Sequence, residues 1–152
     1  KSAEMTLREP LYLQMDLAPF SEKDKIIATA RIDSISEEGY LLCALSEIKE
    51  SLNFRTQQSE AEIEAILCRI QQFDPLGVGA RNLSECLNIQ LNSLPIATPW
   101  MTELKLLVSE HLETLGKRDY DKLKKKLNLN SADLKDPIKI LASLNPRQGT
   151  KL

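Results

Sequence analysis

The sequence predicts an all-α fold made of two small helical subdomains, about five helices followed by a three-helix unit. Two observations carry that prediction. Apolar residues recur at the 3.6-residue helical spacing in nearly every segment, and no segment sustains the apolar–polar alternation of a half-buried strand. Gly39, Pro75, Gly116 and Pro146 then punctuate the chain where periodic segments stop.

Leu7, Leu11, Leu13 and Leu17 predict a short first helix, with Pro10 marking its beginning. Ser21 is placed to cap a second helix carrying Ile26, Ile27, Ala30 and Ile35, which Gly39 stops. Leu45 to Leu52 gives a third. Ile63, Ile66, Leu67, Ile70 and Phe73 form one stripe of a fourth, ended at Asp74-Pro75 because the residue before proline disfavours helical geometry. Asn82 and Glu85 have capping-box spacing at the head of a fifth helix that presents Leu83, Cys86, Leu87, Leu91 and Leu94. Pro95-Ile96-Ala97-Thr98-Pro99 interrupts the pattern, so the subdomain boundary is expected there, dividing residues 1–95 from 96–152. Beyond it, Trp100 to Leu115 reads as one helix closed by Gly116. Asp119 caps a short helix, Asn128-Leu129-Asn130 turns, and Ser131 caps a last helix ended by Pro146.

Composition narrows the function classes. Of 152 residues, 42% are hydrophobic and 28% charged, the balance of a globular domain, while aromatics at 5% leave the core to aliphatic side chains. No apolar run approaches the ~20 residues of a membrane span. The start, Lys1 to Pro10, lacks the regions of a signal peptide, so a cytoplasmic, membrane-free protein is expected. Cys43, Cys68 and Cys86 are odd in number and widely spaced, which suggests neither a disulfide framework nor a zinc site. The single histidine, His111, shares helical spacing with leucines and reads as the edge of a packed face. No titratable cluster marks an enzyme, and no cofactor or metal is implied. Charge is uneven. Residues 1–95 carry 9 Lys and Arg against 15 Asp and Glu, net −6, and residues 96–152 carry 11 against 7, net +4. One part is acidic and the other mildly basic, as two units with different partners would be.

Two segments stand out as carriers of function. In Phe73 to Arg81, two glycines precede a helix N-terminus, as in phosphate-binding loops. No strand precedes them, however, and no Gly-Lys-Ser/Thr follows. Pro75, Gly77 and Gly79 instead make a tight corner, which leaves Leu76, Val78 and Arg81 at its tip without an obvious internal duty. The second segment, Tyr120 to Leu144, has the rhythm of a helix-turn-helix. Its lysines, Lys122, Lys124, Lys125 and Lys126, lie on the first helix, and the start of the second carries Asp133 and Asp136, which face a polyanion badly. A packing motif or protein-binding surface fits better than a DNA reader.

The stretch Phe73-Asp74-Pro75-Leu76-Gly77-Val78-Gly79-Ala80-Arg81-Asn82-Leu83-Ser84-Glu85-Cys86-Leu87-Asn88-Ile89-Gln90-Leu91 resembles the signature of the sigma-54 family, the enhancer-dependent bacterial sigma factors. Ile32 to Leu41 resembles the family's Gly-Tyr-Leu turn, at Gly39-Tyr40-Leu41 with Glu38 before it. Leu144 to Gly149 is similar to its exit segment, with Gln148 where a proline is usual. The resemblance covers essentially the whole chain and implies the central domain that binds core RNA polymerase, the flap region being the family's usual candidate surface. It also implies that, in the full-length protein, promoter DNA and an AAA+ activator are partners of regions outside this one. A fragment that docks on polymerase but neither reads a promoter nor answers an activator alone is therefore expected. Candidate polymerase contacts are Asp74, Leu76, Val78, Arg81 and Glu85, and candidate shape-setting residues are Pro75, Gly77, Gly79, Asn82 and Gly39. Arg81 has two readings: a charge-assisted contact with the partner, or a bond inside the domain, at a helix end or to Asp74.

Overall fold

A computed structural model of the chain describes residues 7–52 and 58–144. Among the described residues there are helices joined by turns, and the only β pairing consists of two isolated bridges. The chain divides into two compact units, Lys1–Asn82 and Leu83–Leu152.

The first unit holds α1 (Arg8–Leu17), α2 (Glu22–Asp33), α3 (Leu45–Leu52) and α4 (Glu60–Gln71). Helix α2 is its centre and packs against α1, α3 and α4. Two of these helices start from complete capping boxes. The Ser21 hydroxyl accepts from Asp24 N–H at 3.0 Å and the Asp24 carboxylate accepts from Ser21 N–H; Ser59 and Glu62 repeat the arrangement on α4. Each satisfies two amides that the first turn leaves without partners. The core is aliphatic: Leu11, Ile27, Ile32, Ile63, Leu67 and Ile70 are all buried, each contributing on the order of 1.5–3 kcal/mol by leaving water.

Three expectations for this unit are corrected. Helix α1 begins at Arg8, two residues before Pro10, which sits in the first turn where its missing N–H costs no hydrogen bond. On α1 the buried positions are Leu11 and Met15, while Leu13 and Leu17 are 60% and 78% exposed. Helix α2 stops at Asp33 and does not run to Gly39. Ile35 pairs with Leu41 in an antiparallel bridge, and Leu42 N–H donates to Ser34 O at 2.8 Å, so residues 34–42 fold back as a tight loop. Gly39 is the turn residue of that loop, with φ +96°, and not the stop of a helix.

The second unit holds α5 (Leu83–Asn92), α6 (Met101–Glu110), α7 (Leu112–Gly116), α8 (Tyr120–Leu127) and α9 (Ser131–Ala142). Its core gathers Leu87, Leu91, Leu104, Leu107, Leu123 and Leu141, and α6 is the hub, touching α5, α7, α8 and α9. The division therefore falls before α5, not at Pro95–Pro99, because the leucines of α5 complete this second core. The single helix expected from Trp100 to Leu115 is broken at His111 (φ −130°, ψ 20°), and the re-aimed last turn, α7, packs on α8. Asp119 caps α8 by accepting from Lys122 N–H at 3.2 Å. The cap of α9 is Asn130, accepting from Asp133 N–H at 2.7 Å, and not Ser131. Asn128, left-handed at φ +58°, makes the turn between α8 and α9. Pro146 and the exit segment beyond Leu144 lie outside the described residues.

Candidate functional site

The corner after α4 is built from backbone bonds that reach far along the chain. Gly77 N–H donates to Gln71 O at 2.9 Å and Val78 N–H to Pro75 O at 3.0 Å, coiling the segment on itself. Gly79 N–H then donates to Gly39 O at 2.7 Å, and Leu41 N–H donates to Ala80 O at 2.8 Å, with Tyr40 and Ala80 forming a parallel bridge. The Gly-Tyr-Leu turn and the Gly-Val-Gly-Ala-Arg segment are thus one clasp. Gly79 (φ +81°) occupies backbone space that L-residues rarely adopt. A Cβ there would meet Ile35 Cδ1 at 3.5 Å, Leu67 Cδ1 at 3.7 Å and Ile70 Cγ2 at 3.8 Å, so contact would be ordinary and the strain would lie in the backbone. Gln71, buried at the end of α4, adds a side-chain bond to Gly79 O at 3.4 Å.

Side chains fix the rim of the corner. The Gln14 amide reaches from α1 and grips the Asp74 backbone twice, accepting from Asp74 N–H at 2.8 Å and donating to Asp74 O at 2.7 Å. The Asp74–Pro75 peptide is cis. Phe73, just past α4, packs its ring 6.4 Å from that of Phe20, and the Arg69 guanidinium lies 4.0 Å over Phe20. Glu64 on α4 joins two arginines: it pairs with exposed Arg81 and, at 3.4 Å, with Arg31, whose side chain is fully buried on α2. Of the two readings for Arg81, the internal bond is present, with Glu64 and not Asp74 as its partner.

The predicted site residues therefore separate. Asp74 and Arg81 are exposed and Leu76 is half-buried, so all three present surface on one short segment. Val78 is 0% exposed and belongs to the first core, which corrects its reading as a tip residue available for contact. Pro75, Gly77 and Gly79 shape the corner, and Gly39 shapes the turn clasped to it. Asn82, exposed, immediately precedes α5; Glu85, half-buried, lies in the first turn of α5 in the second unit. Sequence reasoning missed Gln14, Glu64 and Arg31. Glu64 lies outside the apolar stripe of α4 and Arg31 lies on α2, and the pattern of either helix alone does not show that the two meet.

Two titrating groups in the first unit are displaced from their usual values. Burial first, then a hydrogen bond donated to Asp33, pushes the Tyr12 phenol up to about 12. The Glu62 carboxylate is held below its usual range by the Ser59 N–H of the capping box, then by Lys23 at 3.4 Å. Neither lies in the corner, whose chemistry is that of a rigid, mixed polar–apolar surface. Among the described residues no group of three or more His, Cys, Asp and Glu is arranged to hold a metal ion, and no helix is long and apolar enough to cross a membrane.

The model of the family described as "Sigma-54 factor, core binding domain" matches residues 1–152. An RNA polymerase sigma-54 factor of Pseudomonas putida is 46% identical over 151 residues, covering 99% of this chain and 30% of the relative. The factor of Vibrio anguillarum is 44% identical over 148 residues, covering 97% and 30%. That of Escherichia coli strain K12 is 40% identical over 147 residues, covering 97% and 31%. The chain thus spans about 30% of the length of these curated relatives. With a whole-length family match laid over an all-helical chain whose two signature segments are clasped together, the protein belongs to the sigma-54 factor core-binding-domain family.

Proposed function

We propose that this chain is a docking module for core RNA polymerase, acting by surface complementarity with no catalytic step, and that the corner at residues 73–82 is part of the contact. The observation that carries the proposal is the corner's construction. Its backbone is held by Gly39, Leu41, Gln71 and Gln14, so Asp74 and Leu76 are offered on a surface ordered before any partner arrives, and binding does not have to supply that order. The first unit is acidic, with 9 Lys and Arg against 14 Asp and Glu in residues 1–82, which suits a basic polymerase face and faster encounter with it. Leu76 is the apolar anchor of this reading, and Asp74 and Arg81 its polar rim. Glu85 is a separate candidate contact in the second unit, and Val78 supports the corner from below. Such a role belongs in the bacterial cytoplasm. Retention of the chain on purified bacterial core polymerase tests it. Leu76→Asp is expected to weaken retention without lowering the melting temperature, and absence of retention of the unaltered chain at micromolar concentration would overturn the proposal.

A further inference from the structure

The second unit carries a groove that the polymerase-docking corner does not use. It lies between α8 and α9, with a volume of about 430 Å³, within the range of ligand-binding clefts. Its floor is apolar: Tyr120, 43% exposed, opens the groove, and Leu134 and Ile138 line it from α9. Its rim is cationic, formed by Lys124, Lys135 and Lys139. Lys124 is already engaged, by Asp121 at 3.2 Å and by the Ser131 hydroxyl at 3.0 Å. Lys135 and Lys139 are exposed, and neither is ion-paired among the described residues. They lie four residues apart on one helix, so their stems rise about 6 Å from each other alongside the apolar floor.

We propose that this groove docks an acidic amphipathic helix of a partner protein, with apolar side chains on Tyr120, Leu134 and Ile138 and carboxylates one turn apart facing Lys135 and Lys139. Charge complementarity argues for that occupant. Residues 120–144 carry six lysines against three aspartates, and the two unengaged lysines repeat at the i, i+4 interval at which a helix displays neighbouring side chains. A duplex backbone would satisfy the lysines but offer nothing apolar to cover the floor, and Asp133 and Asp136 near the start of α9 would repel it. The inference goes beyond polymerase docking and does not rest on it.

The test uses the whole chain and a fluorescein-labelled amphipathic peptide with glutamates at i and i+4 beside leucines. Saturable binding by anisotropy is expected, with amide shifts in NMR spectra confined to α8 and α9. The Lys135→Glu/Lys139→Glu variant should weaken binding about tenfold or more, as should replacing the peptide's glutamates by glutamine. Both lysines are exposed, so the variant should keep its helical circular dichroism, and Tyr120→Ala gives a second loss independent of charge. Absence of saturable binding, or equal binding by the charge-reversed variant, would overturn the proposal. So would tighter binding of a thymidylate oligonucleotide that displaces the peptide, which would make the groove a nucleic-acid surface. Self-association abolished by the double variant would assign it to a second copy and overturn it likewise.

Discussion

Replacing Gly79 by valine measures how much the clasp contributes to the first unit. The residue sits at φ +81°, where an L-residue pays on the order of 1–2 kcal/mol. A single Cβ would fit, since its nearest neighbours would be 3.5–3.8 Å away. Valine adds two further methyls beside Ile35, Leu67 and Ile70, all of them fully buried. Overpacking of that kind costs a further ~1–3 kcal/mol. The total, roughly 2–5 kcal/mol, is a large part of the ~5–15 kcal/mol that holds a typical domain together. At about 4–8 °C per kcal/mol for a domain of this size, melting of the first unit should fall by at least ~8 °C in thermal circular dichroism. Gly79→Ala should lose only the backbone part, about 1–2 kcal/mol. Gly116→Ala is the control: it ends α7 with open space around it and no positive φ, so alanine there should be neutral or stabilise by up to ~1 kcal/mol. A valine variant that melts with the unaltered protein would refute the claim that this glycine is required by its conformation.

Val78→Ala should destabilise by about 1.5–3 kcal/mol from lost burial, yet leave polymerase retention unchanged at temperatures where the protein stays folded; retention lost in the folded variant would restore Val78 as a contact. Glu64→Gln, read by urea melts, should cost about 1–2 kcal/mol, reduced from a fully buried pair because Glu64 is 38% exposed. Asn130→Ala should cost roughly 0.5–2 kcal/mol in the second unit while Ser131→Ala costs little, since the cap bond belongs to Asn130. Tyr12 makes a pH prediction. Its folded phenol, at about 12, lies above a tyrosine's ordinary 10.0, so folding favours the protonated form. That contribution is complete below about pH 10 and is lost as pH climbs toward 12. In an ultraviolet titration, Tyr12→Phe should remove the step near 12.

Helices were legible because their signals are local. Ser21 and Asp119 sit one residue before an apolar-periodic segment, and their caps form at those positions. Leu45–Leu52 matches its apolar spacing to the residue. Interruptions without a local sign were not legible: nothing at His111 resembles a helix end, and α7 turns there because its packing partner is α8. At the candidate site, Leu76 and Val78 are both aliphatic residues in a glycine-rich turn. The bond from Gly79 to Gly39, forty positions back along the chain, helps fix the turn in which Leu76 stays half-buried and Val78 enters the core. For Arg81 the sequence left a partner contact and an internal bond open, with Asp74 as one internal acid, and it did not point to Glu64, which lies on a preceding helix.

The two bonds from Gly79 to Gly39 and from Leu41 to Ala80 set a lower limit on how far the first unit can be trimmed. A chain cut after Gln71 would keep every helix of that unit and still lack Val78 and Ala80, both fully buried. The Gly39 carbonyl and the Leu41 amide would lose their mates as well. Such a piece should collapse into helices that never settle into one packing, so the shortest self-sufficient version of the acidic half ends beyond Ala80.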